Sequence, residues 1–156
     1  MYRISVFGLG YVGLVSAVCF AERGYKVIGI DTDGDRLEKI RNGRAPFFEP
    51  NLARLLGETI ANGNLQVTDD HSANCESDLT YITVGTPSDE KGNVDLRYVK
   101  TATGMIARSL VRGDRDQLVI VKSTVPPGTA RNIVKPTLEK ASRKIVGKQV
   151  RLCSNP

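Results

Sequence analysis

The stretch from residue 3 to residue 31 constrains the fold of this 156-residue chain more than any other part of it. An apolar run typical of a buried strand is followed at once by glycines with the spacing G-x-G-x-x-G: Gly8, Gly10 and Gly13. Apolar residues at helical spacing come next, and Gly24 ends this predicted helix as a left-handed C-terminal glycine does. A second short apolar run stops at Asp31. The stretch therefore predicts a strand, a tight turn, a helix and a second strand.

In this context the glycines indicate a dinucleotide-binding turn, although glycines alone also occur in purely structural turns. Gly8 allows the tight turn from strand to helix, Gly10 lets the backbone approach a pyrophosphate, and Gly13 lets the helix pack closely on the strand. The helix N-terminus offers unpaired N–H groups and a partial positive charge to the phosphates. Asp31 has the position of the carboxylate that accepts hydrogen bonds from a ribose diol. Because a carboxylate repels a 2′-phosphate, the sequence favours NAD over NADP.

Arg36 is a second candidate for the adenosine end of the cofactor. It lies one turn into the next predicted helix, which Asp33 can cap. A guanidinium there can pack flat on the adenine or bond the ribose, whereas a solvated helix arginine is the alternative.

The rest of the chain alternates predicted strands and helices, with an extra helix after the second strand. Strands are predicted over 65–68, 79–84, 118–121 and 149–153, and two later helices are predicted to be capped by Asp95 and to start at Thr129. In the loop before the extra helix, Phe47 and Phe48 are expected to pack rather than bind. This order predicts an α/β fold, a doubly wound and mostly parallel sheet with a Rossmann-type core, in a single domain over residues 1–156.

Polar loops follow two of the predicted strands. In an open α/β sheet the ligand lies across the carboxyl ends of the strands, so both loops should face the cofactor. Gly85 permits a close approach and the Thr86 hydroxyl can bond a ribose or a phosphate, although an ordinary turn is the alternative. Ser123 and Thr124 place hydroxyls where the nicotinamide half would lie, and the alternative is a rigid loop with helix caps.

Charge and hydropathy limit the partners. The net charge is +5, from 22 basic and 17 acidic residues, and much of the excess lies late in the chain. A solvated helix face and loop explain this better than a nucleic-acid surface, because no aromatic residues interleave with the basic ones to stack on bases. No apolar run is long enough to cross a bilayer, and no charged-then-apolar leader opens the chain. The expectation is a soluble cytoplasmic protein with no nucleic-acid or membrane partner.

The cysteines and the histidine are expected to be structural. Cys19, Cys75 and Cys153 lie far apart without C-x-x-C spacing, which favours small buried hydrophobes over a disulfide or metal ligands. His71 is the only histidine and is interpreted as a loop residue. No metal site is predicted.

Separate motifs along essentially the whole chain resemble the N-terminal, NAD-binding domain of the UDP-glucose/GDP-mannose dehydrogenases. They are Gly8-Leu9-Gly10-Tyr11-Val12-Gly13, Asp31 with Arg36, Phe48-Glu49-Pro50, Val84-Gly85-Thr86-Pro87-Ser88, Gly92 with Asp95-Leu96, residues 122–129 and Ser154-Asn155-Pro156. One small departure is Asn51, where the family often has glycine.

The resemblance implies roles for particular residues. Tyr11 and Val12 would contact the pyrophosphate through their backbone, and Asp31 with Arg36 would hold the adenosine ribose. The loop Gly85-Thr86-Pro87 would meet the cofactor, with Thr86 on the phosphates or ribose, and Ser123-Thr124-Val125 would line the nicotinamide side. Thr124 matches the threonine that helps to position the water of the hydrolytic step.

The resemblance also implies a reaction that this sequence does not carry by itself. The family oxidises the C6 alcohol of a nucleotide sugar to a uronate by two hydride transfers to two NAD molecules, with a cysteine of a later domain as the nucleophile. The family's glutamate after Ser-Asn-Pro, its central helix and its nucleotide-sugar domain are absent from the 156 residues, and no cysteine here takes the nucleophile's place. The expectation is an N-terminal piece of a longer enzyme, a homo-oligomer at full length, that binds NAD without turnover.

Two alternatives remain at this point. One is a stand-alone NAD-binding module without chemistry. The other is a relative of the 3-hydroxyacid dehydrogenases, against which the Ser-Thr-Val-Pro-Pro-Gly-Thr stretch speaks.

Overall fold

A computed structural model describes residues 2–113 and 116–155, and within them six strands alternate with helices. The strands are β1 (Arg3–Phe7), β2 (Lys26–Ile30), β3 (Leu65–Thr68), β4 (Leu79–Ile82), β5 (Gln117–Val121) and β6 (Val150–Ser154). The helices are α1 (Tyr11–Glu22), α2 (Gly34–Arg41), α3 (Leu52–Ala61), α4 (Arg97–Leu110) and α5 (Lys135–Ser142). A short 3-10 helix spans His71–Glu76, and a π-helical turn over Ala130–Val134 leads into α5. Pro156, the end of the Ser-Asn-Pro motif, lies outside the described residues.

The strands form one sheet in the order β3-β2-β1-β4-β5-β6, and every neighbouring pair is parallel. All carboxyl ends therefore lie along the same edge. The chain order reverses between β1 and β4, and in such sheets a crevice opens at that point. The predicted doubly wound sheet is confirmed, and it is parallel throughout the described residues.

Two hydrophobic layers cover the two faces of the sheet. Along β1, Ile4 and Val6 join a layer with α1 and α3, whereas Phe7 joins a layer with α4 and α5. This division follows from strand geometry, because successive side chains point to opposite faces. The helices on both faces leave the carboxyl edge of the sheet open for a ligand.

Several local expectations are confirmed. Asp33 caps α2 by accepting a hydrogen bond from the Arg36 N–H at 3.0 Å. Gly24 follows α1 with a φ of +89°, in the left-handed region. Asp95 accepts a hydrogen bond from the first N–H of α4, that of Arg97, at 2.9 Å.

Other local expectations are wrong. Cys19 and Cys153 are exposed and Cys75 is half-buried, so these are not buried hydrophobes. Cys19 lies just outside the buried stripe of α1, where its neighbour Val18 takes the core position. Phe48 is 89% exposed and does not pack.

Two further comparisons concern local helical structure. The helical segment that leads into α5 begins at Thr129, as predicted, although the Thr129 hydroxyl donates to the Pro126 carbonyl at 2.7 Å instead of capping the helix. His71 begins the 3-10 helix rather than lying in a loop. Within the described residues, no helix has both the length and the apolar content needed to cross a bilayer.

Candidate dinucleotide-binding site

The turn between β1 and α1 needs each of its three glycines for a different reason. Gly8 has a φ of +94°, and a Cβ there would lie 2.9 Å from the Val84 Cα. A Cβ on Gly13 would lie 1.8 Å from the Gly8 carbonyl oxygen, so helix and turn could not both keep their places. A Cβ on Gly10 would meet nothing within 4 Å. Gly10 therefore leaves open space at the start of α1, where a ligand can approach the backbone.

The N-terminus of α1 faces this open space without a capping side chain. Gly10 is the N-cap residue, and its carbonyl accepts the first helical hydrogen bond, from the Leu14 N–H at 2.9 Å. The N–H groups of Tyr11, Val12 and Gly13 precede that bond and have no acceptor within the helix. No acidic residue lies in the first turn of α1. These groups can bind an anion.

Asp31 joins the glycine turn to the segment that follows β2. Its Oδ2 accepts hydrogen bonds from the Leu9 N–H at 2.6 Å and from the Arg36 guanidinium at 2.9 Å. Its Oδ1 accepts one from the Asp33 N–H at 3.0 Å. The carboxylate is buried, and a carboxylate has about four lone-pair positions. The contacts that the structure describes leave about one of these for a further donor.

Arg36 is held in place by two carboxylates. Besides Asp31, its guanidinium contacts the Asp33 Oδ2 at 3.1 Å, and about a third of its side chain is exposed. It is therefore an ion-paired arginine at the edge of the site rather than a freely solvated one.

Thr83 holds the glycine turn from the opposite side, and sequence reasoning missed it. Its hydroxyl lies 2.9 Å from the Phe7 carbonyl oxygen and 2.7 Å from that of Gly8. The residue comes directly after β4, at the point where the chain order of the sheet reverses. In the sequence, Thr83 is a threonine near the end of a predicted strand. This position alone does not indicate which turn its hydroxyl contacts.

A cleft of about 440 Å³ opens beside this turn. It is lined by five of the predicted cofactor residues: Gly8, Gly10, Asp31, Arg36 and Gly85. It is also lined by residues that are not among the predicted cofactor residues: Phe7, Ile30, Thr32, Asp33, Asp69, Thr83, Val84, Tyr98, Thr101, Ala102 and Met105. The last four come from α4, whose approach to the sheet is a property of the tertiary structure.

The remaining predicted residues do not line this cleft: Tyr11, Val12, Gly13, Thr86, Pro87, Ser123, Thr124 and Val125. The first three form the helix N-terminus just described. Val125 borders a second groove of about 570 Å³, formed with residues 126–132 and Ser154.

Ser123 connects the loop after β5 to the loop after β4. Its N–H donates to the Ile82 carbonyl at 3.0 Å, and its buried hydroxyl donates to the Val84 carbonyl at 2.7 Å. The hydroxyl proton is thus directed at the protein, and this hydrogen bond joins the two loops. Thr124 is exposed.

The Tyr11 side chain packs on the loop before α3. Its ring centroid lies 5.0 Å from that of Phe47, and its hydroxyl donates to the Glu49 carboxylate. This hydrogen bond raises the pKa of Tyr11 above its ordinary value. The first residue of α1 is therefore fixed by contacts outside the helix.

Comparison with known proteins places this geometry in a family. A sequence model of the UDP-glucose/GDP-mannose dehydrogenase family, NAD binding domain, matches residues 2–156. The chain belongs to this family. The match confirms the resemblance and NAD as the cofactor, and it decides against the 3-hydroxyacid dehydrogenase alternative.

Individual relatives agree with the family assignment. The chain is 43% identical over 155 residues to GDP-mannose 6-dehydrogenase of Pseudomonas putida, covering 99% of this chain and 35% of that protein. It is 39% identical to a UDP-glucose 6-dehydrogenase of Haloferax volcanii, with 99% and 36% covered. A crystal structure of a ternary complex of GDP-mannose dehydrogenase from Pseudomonas aeruginosa superposes with a TM-score of 0.96 at 41% identity, covering 99% of this chain and 36% of that one. The chain thus spans about a third of the length of these relatives.

The residues present fit an NAD molecule. The open side of Gly10 and the uncapped N-terminus of α1 suit a pyrophosphate, and Asp31 retains acceptor capacity for a ribose hydroxyl.

Proposed function

We propose that this chain is the cofactor-binding part of a nucleotide-sugar 6-dehydrogenase that oxidises the C6 alcohol of the sugar to a uronate with two NAD. The observation that carries the proposal is the cleft bounded by the N-terminus of α1 and the buried Asp31 carboxylate. The matched relatives are dehydrogenases of GDP-mannose and UDP-glucose, which supports this substrate class. NAD, when bound, supplies the hydride acceptor; the residues of this chain bind and orient it.

The pyrophosphate is held by the backbone N–H groups of Tyr11, Val12 and Gly13, beside the open face of Gly10. Asp31 accepts a hydrogen bond from the adenosine ribose, and Arg36 borders the same sugar. An N–H array fixed by the protein costs little reorganisation when an anion binds.

The loops after β4 and β5 bind the other half of the cofactor. Gly85, Thr86 and Pro87 approach the phosphates and the ribose next to them, and Ser123-Thr124-Val125 lie beside the nicotinamide. The exposed Thr124 hydroxyl is the group of this chain that positions water for the hydrolytic step. Ser123 positions this loop through its bonds to Ile82 and Val84.

The same geometry explains a preference for NAD over NADP. An arginine near the ribose can accommodate a 2′-phosphate in NADP enzymes. Here the Arg36 guanidinium is paired with both Asp31 and Asp33. A 2′-phosphate would therefore meet two carboxylates and a cation that is already neutralised.

The chain by itself binds NAD without turnover, because the sugar pocket and the nucleophilic cysteine belong to the part of the enzyme beyond these residues. None of the residues that line the described cleft is a cysteine. The nucleotide sugar is thus a partner of the full-length enzyme, which we propose to be a homo-oligomer in the cytoplasm.

Calorimetric titration of the chain with NAD and with NADP tests the cofactor assignment. We expect saturable NAD binding and at least about tenfold weaker NADP binding, the size of one charge-assisted contact. Equal or tighter NADP binding would contradict the reading of Asp31 and Arg36.

Turnover is tested by following NADH formation with UDP-glucose or GDP-mannose. The chain alone should form none, and the longer protein encoded by the same reading frame should form it with one of the two sugars. NADH formation by the 156 residues alone would overturn the proposal that catalysis needs the rest of the enzyme. A reading frame that ends after Pro156 would instead favour the stand-alone NAD-binding module.

A further inference from the structure

Two adjacent aspartates after β3 face different cavities. Asp69 lines the cofactor cleft, and among the residues that the structure describes its carboxylate has no hydrogen-bond or ion-pair partner. The Asp70 carboxylate accepts hydrogen bonds from the Ser72 N–H and hydroxyl, both at 2.8 Å, at the start of the 3-10 helix. Asp70 lines a separate cavity with His71 and Arg108. Asp69 therefore has a free acceptor in the cleft, whereas Asp70 is occupied by its own helix.

Sheet register places Asp69 one strand beyond the ribose-binding acid. Ile30 pairs with Thr68, and the Asp31 N–H donates to the Thr68 carbonyl at 3.2 Å, so Asp31 and Asp69 follow neighbouring strand ends. Neighbouring strands lie about 4.8 Å apart. The group attached to the ribose at Asp31 therefore lies within reach of Asp69.

The wall of the cleft at this end suits a flat base. Helix α4 contributes Tyr98, Thr101, Ala102 and Met105, which combine an aromatic ring, small side chains and a thioether. Thioether sulfur makes favourable contacts with aromatic rings. Asp69 lines the same cleft as this mainly apolar wall.

We propose that Asp69 selects adenine as the base of the bound dinucleotide, by accepting a hydrogen bond from the exocyclic amine at C6. This rests on the NAD site proposed above. A hypoxanthine base carries a carbonyl oxygen at C6 instead of the amine. That oxygen has no proton to donate and is repelled by the carboxylate, so the site discriminates against it.

The test compares NAD with nicotinamide hypoxanthine dinucleotide, in which a carbonyl oxygen replaces the C6 amine and the adjacent N1 carries a proton. Calorimetry on the wild-type chain should give about tenfold tighter binding of NAD, the size of one hydrogen bond to a charged group at a solvated site. Asp69→Asn should bring the ratio to within about twofold, because an amide can also donate to a carbonyl oxygen. Asp69→Ala should give a similar ratio by removing the acceptor.

Asp70→Asn is the matched control. It removes the same charge one residue away, and asparagine can still cap the 3-10 helix. It should keep the wild-type ratio, and thermal unfolding should show that all variants fold.

The possible failures are distinguishable. A wild-type chain that binds neither dinucleotide would overturn the dinucleotide site itself. A wild-type chain that binds both equally, or an Asp69→Asn variant that keeps the tenfold ratio, would overturn the role of Asp69 and leave the dinucleotide site standing. The wild-type ratio decides this even if a substitution destabilises the chain. A ratio that falls equally in Asp70→Asn would show a general charge effect and would also contradict the proposal.

Discussion

The two halves of the carboxyl edge are built differently. In the half that we propose to bind the adenosine, after β1 and β2, the buried Asp31 accepts hydrogen bonds from the Leu9 N–H, the Asp33 N–H and the Arg36 guanidinium. In the half that we propose to bind the nicotinamide, after β4 and β5, the corresponding connection is the neutral Ser123 hydroxyl, which donates to the Val84 carbonyl. Charge-assisted hydrogen bonds are roughly twice as strong as neutral ones. The adenosine half is therefore fixed by this chain alone.

The nicotinamide half presents its residues to the outside. Thr124, Pro126, Pro127 and Gly128 are all exposed. Exposed loop backbone opens with little free energy, so its geometry depends on whatever covers it. Most of the affinity of this chain for a dinucleotide should therefore reside in the adenosine half. Substitutions in the two halves test this expectation.

Substitution of the turn glycines should give the largest effect. In Gly13→Ala the new Cβ would lie 1.8 Å from the Gly8 carbonyl oxygen, and backbone must move to admit it. We expect the free energy of unfolding to fall by about 3 kcal/mol, as in severe overpacking, and NAD binding to be lost. Urea denaturation and calorimetry measure the two effects.

Gly10→Ala provides the contrast, since its Cβ meets nothing within 4 Å. The free energy of unfolding should change by less than about 1 kcal/mol, while NAD affinity still falls because the methyl occupies the side that faces the pyrophosphate. An unchanged NAD affinity in Gly10→Ala would contradict binding at this helix N-terminus.

Removal of the buried carboxylate should come next in size. Asp31→Ala leaves the N–H groups of Leu9 and Asp33 without this acceptor and leaves the Arg36 guanidinium paired with Asp33 alone. We expect the free energy of unfolding to fall by about 2 kcal/mol and the NAD affinity to fall about thirtyfold. The folded protein and its complex with NAD would each lose hydrogen bonds to a charged acceptor. Asp35→Ala, an exposed acid of the same segment, should change neither appreciably. NAD binding that survives Asp31→Ala unchanged would remove the ribose role.

The same contrast explains which parts of the site could be predicted from the sequence. The glycine turn, Asp31 and the Asp33 cap are encoded by short-range spacing, and hydrophobic periodicity reports the elements around them. Thr83 and Asp69 reach the site through strand register, and Tyr98 and Met105 through the packing of α4 on the sheet. Such contacts join residues far apart in the sequence, so local patterns did not identify them.

Errors in burial have a related cause. Hydrophobic periodicity identifies the apolar face of a helix but not how wide its buried stripe is. Cys19, next to the buried Val18, therefore fits the apolar pattern of α1 but lies on its exposed side. Likewise, Phe47 and Phe48 are equally apolar, and only the position of the loop beside α1 decides that Phe47 meets Tyr11 while Phe48 faces solvent.

A smaller effect should appear in the nicotinamide half. Ser123→Ala leaves the Val84 carbonyl without its hydroxyl donor and should lower the free energy of unfolding by about 1 kcal/mol, the net value of a neutral hydrogen bond. Thr124→Ala removes an exposed hydroxyl and should change it by less than about 0.5 kcal/mol. For both variants the NAD affinity of this chain should stay within about threefold of the wild type, well short of the loss at Asp31. A loss in Ser123→Ala as large as that in Asp31→Ala would show that the two halves contribute equally.

The smallest effect concerns the contact between Tyr11 and Glu49, which extends the fixed half to the loop before α3. The hydrogen bond to Glu49 raises the pKa of Tyr11 in the folded state, so folding favours the protonated phenol. This contribution is fully present below the ordinary tyrosine pKa of about 10 and is lost as the pH rises through the raised value. The urea midpoint of the wild type should therefore fall more between about pH 8 and pH 11 than that of Tyr11→Phe, which has no phenol to ionise. Tyr2→Phe removes an exposed tyrosine before β1, away from this contact, and should keep the wild-type pH dependence. If Tyr11→Phe also kept the wild-type pH dependence, the contact between Tyr11 and Glu49 would not contribute to stability. The rigid part of the adenosine half would then end at the glycine turn.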